Sequence, residues 1–330
     1  MSWEIKRYEA ADKAEWDAFV GRSRNATFLF SRGYVDYHAD RFADHSLMAR
    51  RNGRLAAILP ANIEGTTLVS HRGLTYGGWA LAPRGLDTTA VFLLWQEWLR
   101  YCRAEGIDRV IYKPLPTIYA SMPSQEDLYM LFLCGASATA VNISSTIDLA
   151  RNPGFNTLQK RHLAHVPRGT VIECGSSRLD EFYVMLSACL AERHGSKPVH
   201  TLAELHLLLS RFPENIHLWS AVAHTGDLRG GVLVYETSAC AHCQYIATTP
   251  EGRDDSVLSL LFREMIGHYT AAGMRFLDFG TSNEEGGRLL NEGLNRQKSA
   301  LGGSGVAYAQ FEFSVSSASV SMPSELWPPR

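Results

Sequence analysis

The chain has 330 residues, 45% apolar and 20% charged, with 32 Lys and Arg against 34 Asp and Glu. A chain of this length exceeds the size at which one hydrophobic core stops growing, so two domains are expected. The balanced charge leaves no basic tail to advertise nucleic acid, and no apolar run is long enough to span a bilayer.

The opening Met1-Ser2-Trp3-Glu4-Ile5-Lys6 lacks the pattern of a signal peptide, so a cytoplasmic protein with reduced cysteines is expected. In chain order, Trp3 to Tyr8 reads as a strand, followed by a helix around Trp16, Phe19 and Val20. Ser31 can cap a helix on which Tyr34, Tyr37 and His38 share a face at spacings of three and four, a stripe that suits a core. Leu47 to Arg51 and Arg54 to Pro60 form a hairpin, because Asn52-Gly53 suits a two-residue turn. From Leu68 to Trp79, Gly73, Gly77 and Gly78 permit close backbone approach, and polar His71, Arg72 and Tyr76 alternate with apolar neighbours. That pattern fits either a strand rim beside a ligand, with His71 and Tyr76 as substrate contacts, or a glycine-rich sheet edge. An apolar helix, Ala90 to Glu105, stops at Gly106 before the strand Arg109 to Tyr112. A helix, Gln125 to Leu133, and a strand, Asn142 to Leu149, lead to Asn152-Pro153-Gly154, which closes a first domain of residues 1–150.

Residues 151–315 repeat the order of elements as a second domain. The helix Phe155 to His165 carries Lys160, Arg161, His162 and His165, which read as a solvated basic face rather than a metal site. A strand, Gly169 to Cys174, and a helix, Leu179 to His194, follow. Thr201 caps the helix Leu202 to Ser210, and Glu204 completes the capping-box spacing. Three strands, Asn215 to Ala223, Gly230 to Glu236 and Ala239 to Thr248, form an antiparallel meander. In the third, strict alternation turns Cys240, His242, Gln244 and Ile246 to one face and Ala241, Cys243, Tyr245 and Ala247 to the other. Cys240 and Cys243 therefore diverge, which disfavours a metal or redox pair. The helix Val257 to Ala272 is capped by Ser256 and stopped by Gly273, and residues 316–330 read as a loose tail.

The most informative stretch runs from Met274 to Gly303. Asp278 stands in an apolar strand between Phe276-Leu277 and Phe279, where a bare carboxylate is costly, so it needs a partner. In the next helix Leu290, Leu294, Gln297, Lys298 and Leu301 recur at spacings of three and four, which lays Lys298 on the apolar stripe, with Asn291 two turns earlier on the same face. An inward lysine calls for an anion, either Asp278 or a phosphate or carboxylate on a ligand.

The ordered set His242-Cys243-Gln244-Tyr245, Asp278-Phe279-Gly280-Thr281-Ser282, Asn291-Glu292-Gly293-Leu294, Gln297-Lys298 and Gly302-Gly303 resembles the C-terminal half of bacterial GNAT-superfamily acyltransferases of the Fem-like type. The resemblance implies an α/β (α+β) fold of two tandem GNAT-like domains, each a mixed, mostly antiparallel sheet flanked by helices. It implies N-acyl transfer, with the donor thioester lying between two strands that splay apart, here 240–248 and 274–281. In that setting His242, Asp278 and Glu284 are the groups that act as base or orient one, and His242 is preferred because its unperturbed pKa is near neutrality. Tyr245 or Ser282 would donate to the leaving group. Tyr245, Arg253, Gly280 and Ser282 would bind the donor, and Asn291, Gln297 and Lys298, with His71 and Tyr76, the acceptor.

No metal is expected. Thr249-Pro250-Glu251-Gly252-Arg253-Asp254-Asp255-Ser256, before the central helix, has one glycine and three acids where a diphosphate would need open amides. The donor therefore stays open between acyl-CoA such as acetyl-CoA, aminoacyl-tRNA and an acyl carrier protein. The expected acceptor is the amine of a small metabolite, an amino sugar or a cell-envelope or polysaccharide precursor. A catalytically inactive GNAT-like ligand-binding pair is the alternative from another class.

Overall fold

The computed structural model describes residues 2–152 and 154–320. The chain divides into two compact units, Met1–Val141 with Tyr308–Arg330, and Asn142–Ala307. The divisions fall inside two strands, Ser137–Asp148 and Ser304–Ser314, rather than at residues 150 and 315. Pro153 of the expected linker lies outside the described residues. Among the described residues no helix is long and apolar enough to cross a membrane.

In the first unit an antiparallel sheet runs in the order Trp3–Arg7, Leu47–Arg51, Arg54–Leu59, Ala80–Leu81. Its hairpin turns at Asn52 and Gly53, both with positive φ, as the Asn-Gly pair requires. The helix Thr88–Ala104 starts at Asp87, whose carboxylate accepts from the Ala90 amide, and it buries Leu94, Trp95, Trp98 and Leu99. Thr67–Val69 pairs parallel with Arg109–Tyr112, and the latter pairs antiparallel with residues 311–314. The expected loose tail is tied down where it begins. Ala318 and Val320 are buried, and their carbonyls accept from Arg103 at 2.6 Å and Gln96 at 2.9 Å. The rest of that tail, residues 321–330, lies outside the described residues.

In the second unit the strands run in the order Ser304–Ser314, Ser137–Asp148, Phe276–Thr281, Cys240–Thr248, Leu228–Glu236, Ile216–Val222, Val171–Cys174, the first two contributing only their residues within the unit. Gly230 and Gly231 show how helices cover both faces. A Cβ on Gly230 would strike Val257, and one on Gly231 would strike Phe182, and successive strand residues point to opposite faces. The helix Val257–Ala271 therefore packs on one face and Leu179–His194 on the other. The first buries Val257, Leu261, Phe262 and Met265 against Val232, Ala241, Cys243, Leu277 and Phe279. Each such side chain contributes roughly 1.5–3 kcal/mol, which fixes the sheet that carries the polar groups below.

Candidate functional site

Cys240–Thr248 and Phe276–Thr281 pair in parallel at three positions only, Cys240↔Phe276, Ala241↔Leu277 and His242↔Asp278. Beyond these the strands part. One stays with Leu228–Glu236 as far as Gly230↔Thr248, and the other stays with Ser137–Asp148 as far as Thr281↔Ser144. Gly280 takes φ +76 in the diverging strand, a conformation that suits glycine. On the other side of the gap, Leu233 faces Tyr245 and Val234 faces Cys243, so Gln244 is an extra, bulged residue. The bulge breaks the alternation expected from the sequence, and every residue from Cys243 to Thr248 lines a cavity of about 530 Å³. Leu186 and Leu190 from one helix and Leu258 and Phe262 from the other supply apolar walls, while Tyr245, Arg253, Gln297 and Lys298 add polar groups.

At the closed end of the gap His242 Nδ1 lies 2.7 Å from Asp278 Oδ2. Because Ala241 and Cys243 pack toward the helix Val257–Ala271, His242 and Asp278 lie on the opposite face. Asp278 is fully buried, and its other oxygen accepts from the hydroxyls of Ser144 and Thr146, the latter at 2.6 Å. Burial alone would raise this carboxyl. The hydrogen bond and charge of His242, with the two hydroxyls, outweigh it and hold the group at about 2. His242 keeps 15% of its side chain exposed. It does not line the cavity itself but directly precedes Cys243, which does.

Lys298 resolves differently from expectation. Its ammonium donates to the carbonyls of Gly280 at 2.8 Å and Thr281 at 2.7 Å, so it holds backbone that the splay has released rather than bonding directly to Asp278. Burial lowers its pKa to about 8, although the nearby charge of Asp278 partly restores it. A smaller cavity of about 280 Å³ opens where the helix Val257–Ala271 begins, lined by Gln159, His162, Arg253, Ser256 and Ser259, and it shares Thr248, Arg253 and Gln297 with the larger one. Arg253 also approaches Glu192 at 3.5 Å.

Other expected residues fall elsewhere. Glu284 is exposed and accepts from Asn291 Nδ2 at 3.1 Å, while Asn291 Oδ1 caps its helix by accepting from the Leu294 amide at 3.0 Å. Both serve the turn before that helix and neither lines the cavity. Ser282 is buried, its backbone bonded to Ile143 and Asn291, and it does not line the cavity either. His71 and Tyr76 belong to the first unit and are buried there. Tyr76 bonds to Thr27 at 3.2 Å, and His71 stacks on His38 with ring centroids 4.9 Å apart. Burial, then the neighbouring cations, brings His71 down to about 3. The sequence reading missed Ser144 and Thr146. Their signal was a polar pair two residues apart, hence on one face, at the buried end of the strand Ser137–Asp148. It also missed His200, whose Nδ1 is 2.8 Å from Tyr245 Oη. Among the described residues no group of three His, Cys, Asp or Glu is placed to hold a metal ion.

Residues 158–285 match the family model described as an acetyltransferase (GNAT) domain. No curated protein matches the chain. Solved structures share its fold over nearly the whole length. The crystal structure of FemX is 12% identical, with 94% of this chain and 97% of that one covered and a TM-score of 0.67. A tandem GNAT protein from the clavulanic acid biosynthesis pathway is 16% identical, covering 95% and 99%, at 0.52. The C-terminal domain of a putative lysylphosphatidylglycerol synthetase from Agrobacterium fabrum is 14% identical, covering 92% of each chain, at 0.58. At these identities the likeness is one of fold, two mixed α/β domains in tandem.

Proposed function

We propose that this protein, an acyltransferase through the GNAT acetyltransferase domain in its second half, moves an acyl group from a donor seated between the splayed strands to an amine. One observation carries the reading. The parallel ladder stops after three pairs, a cavity fills the gap, and a histidine–carboxylate pair stands at its closed end. Beyond His242 and Asp278 the facing strand edges no longer serve each other's backbone, so an extended donor arm with amide groups finds hydrogen-bonding partners there. An acyl-CoA fits this arrangement in outline, with its phosphates in the smaller cavity beside Arg253, His162 and the helix start.

The acceptor approaches His242 from the face away from the helix Val257–Ala271. With Nδ1 committed to Asp278, Nε2 takes the proton of the attacking amine, and the buried carboxylate stabilises the imidazolium that forms. Nitrogen bonds to the acyl carbon, and the bond to the leaving sulfur or oxygen breaks. Lys298 has three N–H donors, two of which go to Gly280 and Thr281, and the third serves the developing oxyanion. A small metabolite, amino sugar or envelope precursor is the acceptor class we favour. The free cysteines among the described residues suit a reducing, cytoplasmic setting.

Aminoacyl-tRNA is the second donor considered, and one feature favours it. Pro250–Asp254 is a closed helix rather than an open glycine turn, its Gly252 amide is already bonded to Thr249, and a Cβ there would fall 2.0 Å from the Arg229 carbonyl. A thermal-shift screen with acetyl-CoA, longer acyl-CoAs and bulk aminoacyl-tRNA separates the donors, because a ligand at a hundred times its Kd adds about 2.7 kcal/mol of stability. A rise with one class identifies it. No rise with any of them overturns the enzyme reading.

A further inference from the structure

The acids that precede the helix Val257–Ala271 would make its start hostile to a phosphate, yet no Asp or Glu among the described residues lines the smaller cavity there. Its donors come from two helices. Thr157–His165, which carries exposed Lys160 and Arg161, turns Gln159 and His162, three residues apart, to the cavity. Asn156 fixes where that helix begins, its side chain accepting from the Gln159 amide at 2.9 Å. The other helix, Val257–Ala271, starts after Ser256 without a side-chain cap. Leu258 lines the cavity, and its amide has no acceptor among the described residues.

Gln159 is only 5% exposed, and one bond orients its carboxamide. Ser259, equally buried, donates its hydroxyl to Gln159 Oε1 at 2.9 Å. Turning the amide round would leave that hydroxyl proton without an acceptor among the described residues, so Oε1 faces Ser259. Gln159 Nε2 then has no acceptor among the described residues either. It is not one of the unpaired side-chain nitrogens sealed from solvent, so its N–H groups open into the cavity that Gln159 lines.

We infer that Gln159 is a specificity-determining residue for the donor, its carboxamide N–H reading a phosphate ester seated in the smaller cavity. This rests on the acyl-transfer reading above and adds the residue that selects. With its oxygen held by Ser259, the carboxamide can only donate toward the cavity. A ligand group that presents acceptors satisfies it, and one that presents hydrocarbon leaves a buried donor unpaired, which is what makes a hydrogen-bonding site selective. A phosphate has acceptor oxygens enough for the Gln159 N–H, the Leu258 amide and the Arg253 guanidinium, all on the cavity wall. The ester belongs either to coenzyme A or to the end of a tRNA.

The test is calorimetric titration of coenzyme A, pantetheine and deacylated tRNA into wild type, Gln159→Met and Gln159→Glu. Pantetheine carries the amide arm of coenzyme A without its phosphates. Gln159→Met keeps the length but has no N–H, and it should weaken coenzyme A binding by about tenfold to a hundredfold while pantetheine binding stays unchanged. Gln159→Glu keeps an acceptor for Ser259 and sets a carboxylate against the phosphate, so it should weaken binding at least as much. It also keeps the experiment informative if the methionine variant folds poorly. Where tRNA is the source of the phosphate, coenzyme A does not bind the wild type and the same losses appear on tRNA. Variants that bind as tightly as wild type, or a loss shared by pantetheine, overturn the inference and leave the acyl-transfer reading standing. A wild type that binds neither coenzyme A nor tRNA sinks both.

Discussion

Replacing Asp278 by Asn separates chemistry from structural support. The carboxyl sits at about 2 instead of 3.8 although burial alone would raise it. At about 1.4 kcal/mol per pKa unit, its ionised form carries on the order of 2 kcal/mol of stability. The folded value lies below the unfolded one, so that contribution is fully present above about pH 4 and is lost as pH falls toward 2. Asp278→Asn should therefore unfold at lower denaturant near neutrality by about 2 kcal/mol, and the gap to wild type should shrink between pH 4 and pH 2. The amide would present N–H to His242 Nδ1, forcing the ring proton onto Nε2, where the base must accept. A wrong tautomer of this kind lowers kcat by about 10³–10⁴. Denaturation followed by circular dichroism and turnover on the donor found by thermal shift measure both effects. A folded variant that keeps turnover within about threefold refutes the proton-transfer role, and a variant that does not fold shows the carboxylate to be structural.

Lys298→Met strips the Gly280 and Thr281 carbonyls of their donor and should cost about 1–3 kcal/mol, read by chemical denaturation. Burial brings the lysine down to about 8 in the folded chain from its ordinary 10.5, so the unfolded chain binds more protons in between. Wild-type stability should thus rise with pH across that window relative to Lys298→Met, and a parallel pH dependence contradicts the burial of the ammonium. Gly280→Ala places a side chain at φ +76, where the left-handed conformation costs about 1–2 kcal/mol. Its Cβ would meet His242 Cε1 at 3.6 Å, an ordinary contact, so stability should drop more than kcat, and a large loss of kcat at full stability would contradict this.

What could be read from the chain before any coordinates was set by local chemistry. Asn52-Gly53 and the Thr201–Glu204 box specify their turns through the residues themselves, and both formed as expected. Asp278 in an apolar strand demanded a partner, but the choice among partners depended on which strands lie side by side, and periodicity does not report that. His242 is evident in the sequence, yet its bond to Asp278 follows from a parallel register set by the crossover helix. The bulge at Gln244 leaves no compositional mark and reverses the facing of every later residue in that strand, which is why Tyr245 and Gln244 both reach the cavity. Asn291 was read as facing a ligand because it shares a helix face with Lys298. It lies at the helix start, where an unpaired amide captures its side chain first. Ser256 does precede its helix, but at φ 57 and without a side-chain cap, so the sequence preference was met in position and not in bonding.

Amide hydrogen exchange resolved along Cys243–Thr248 and Phe279–Thr281, with and without saturating donor, addresses the splayed strands directly. A donor lying between them should slow exchange on both facing edges, with little change in the first unit. Unchanged exchange in these two segments, with protection confined to other parts of the chain, would contradict the site described.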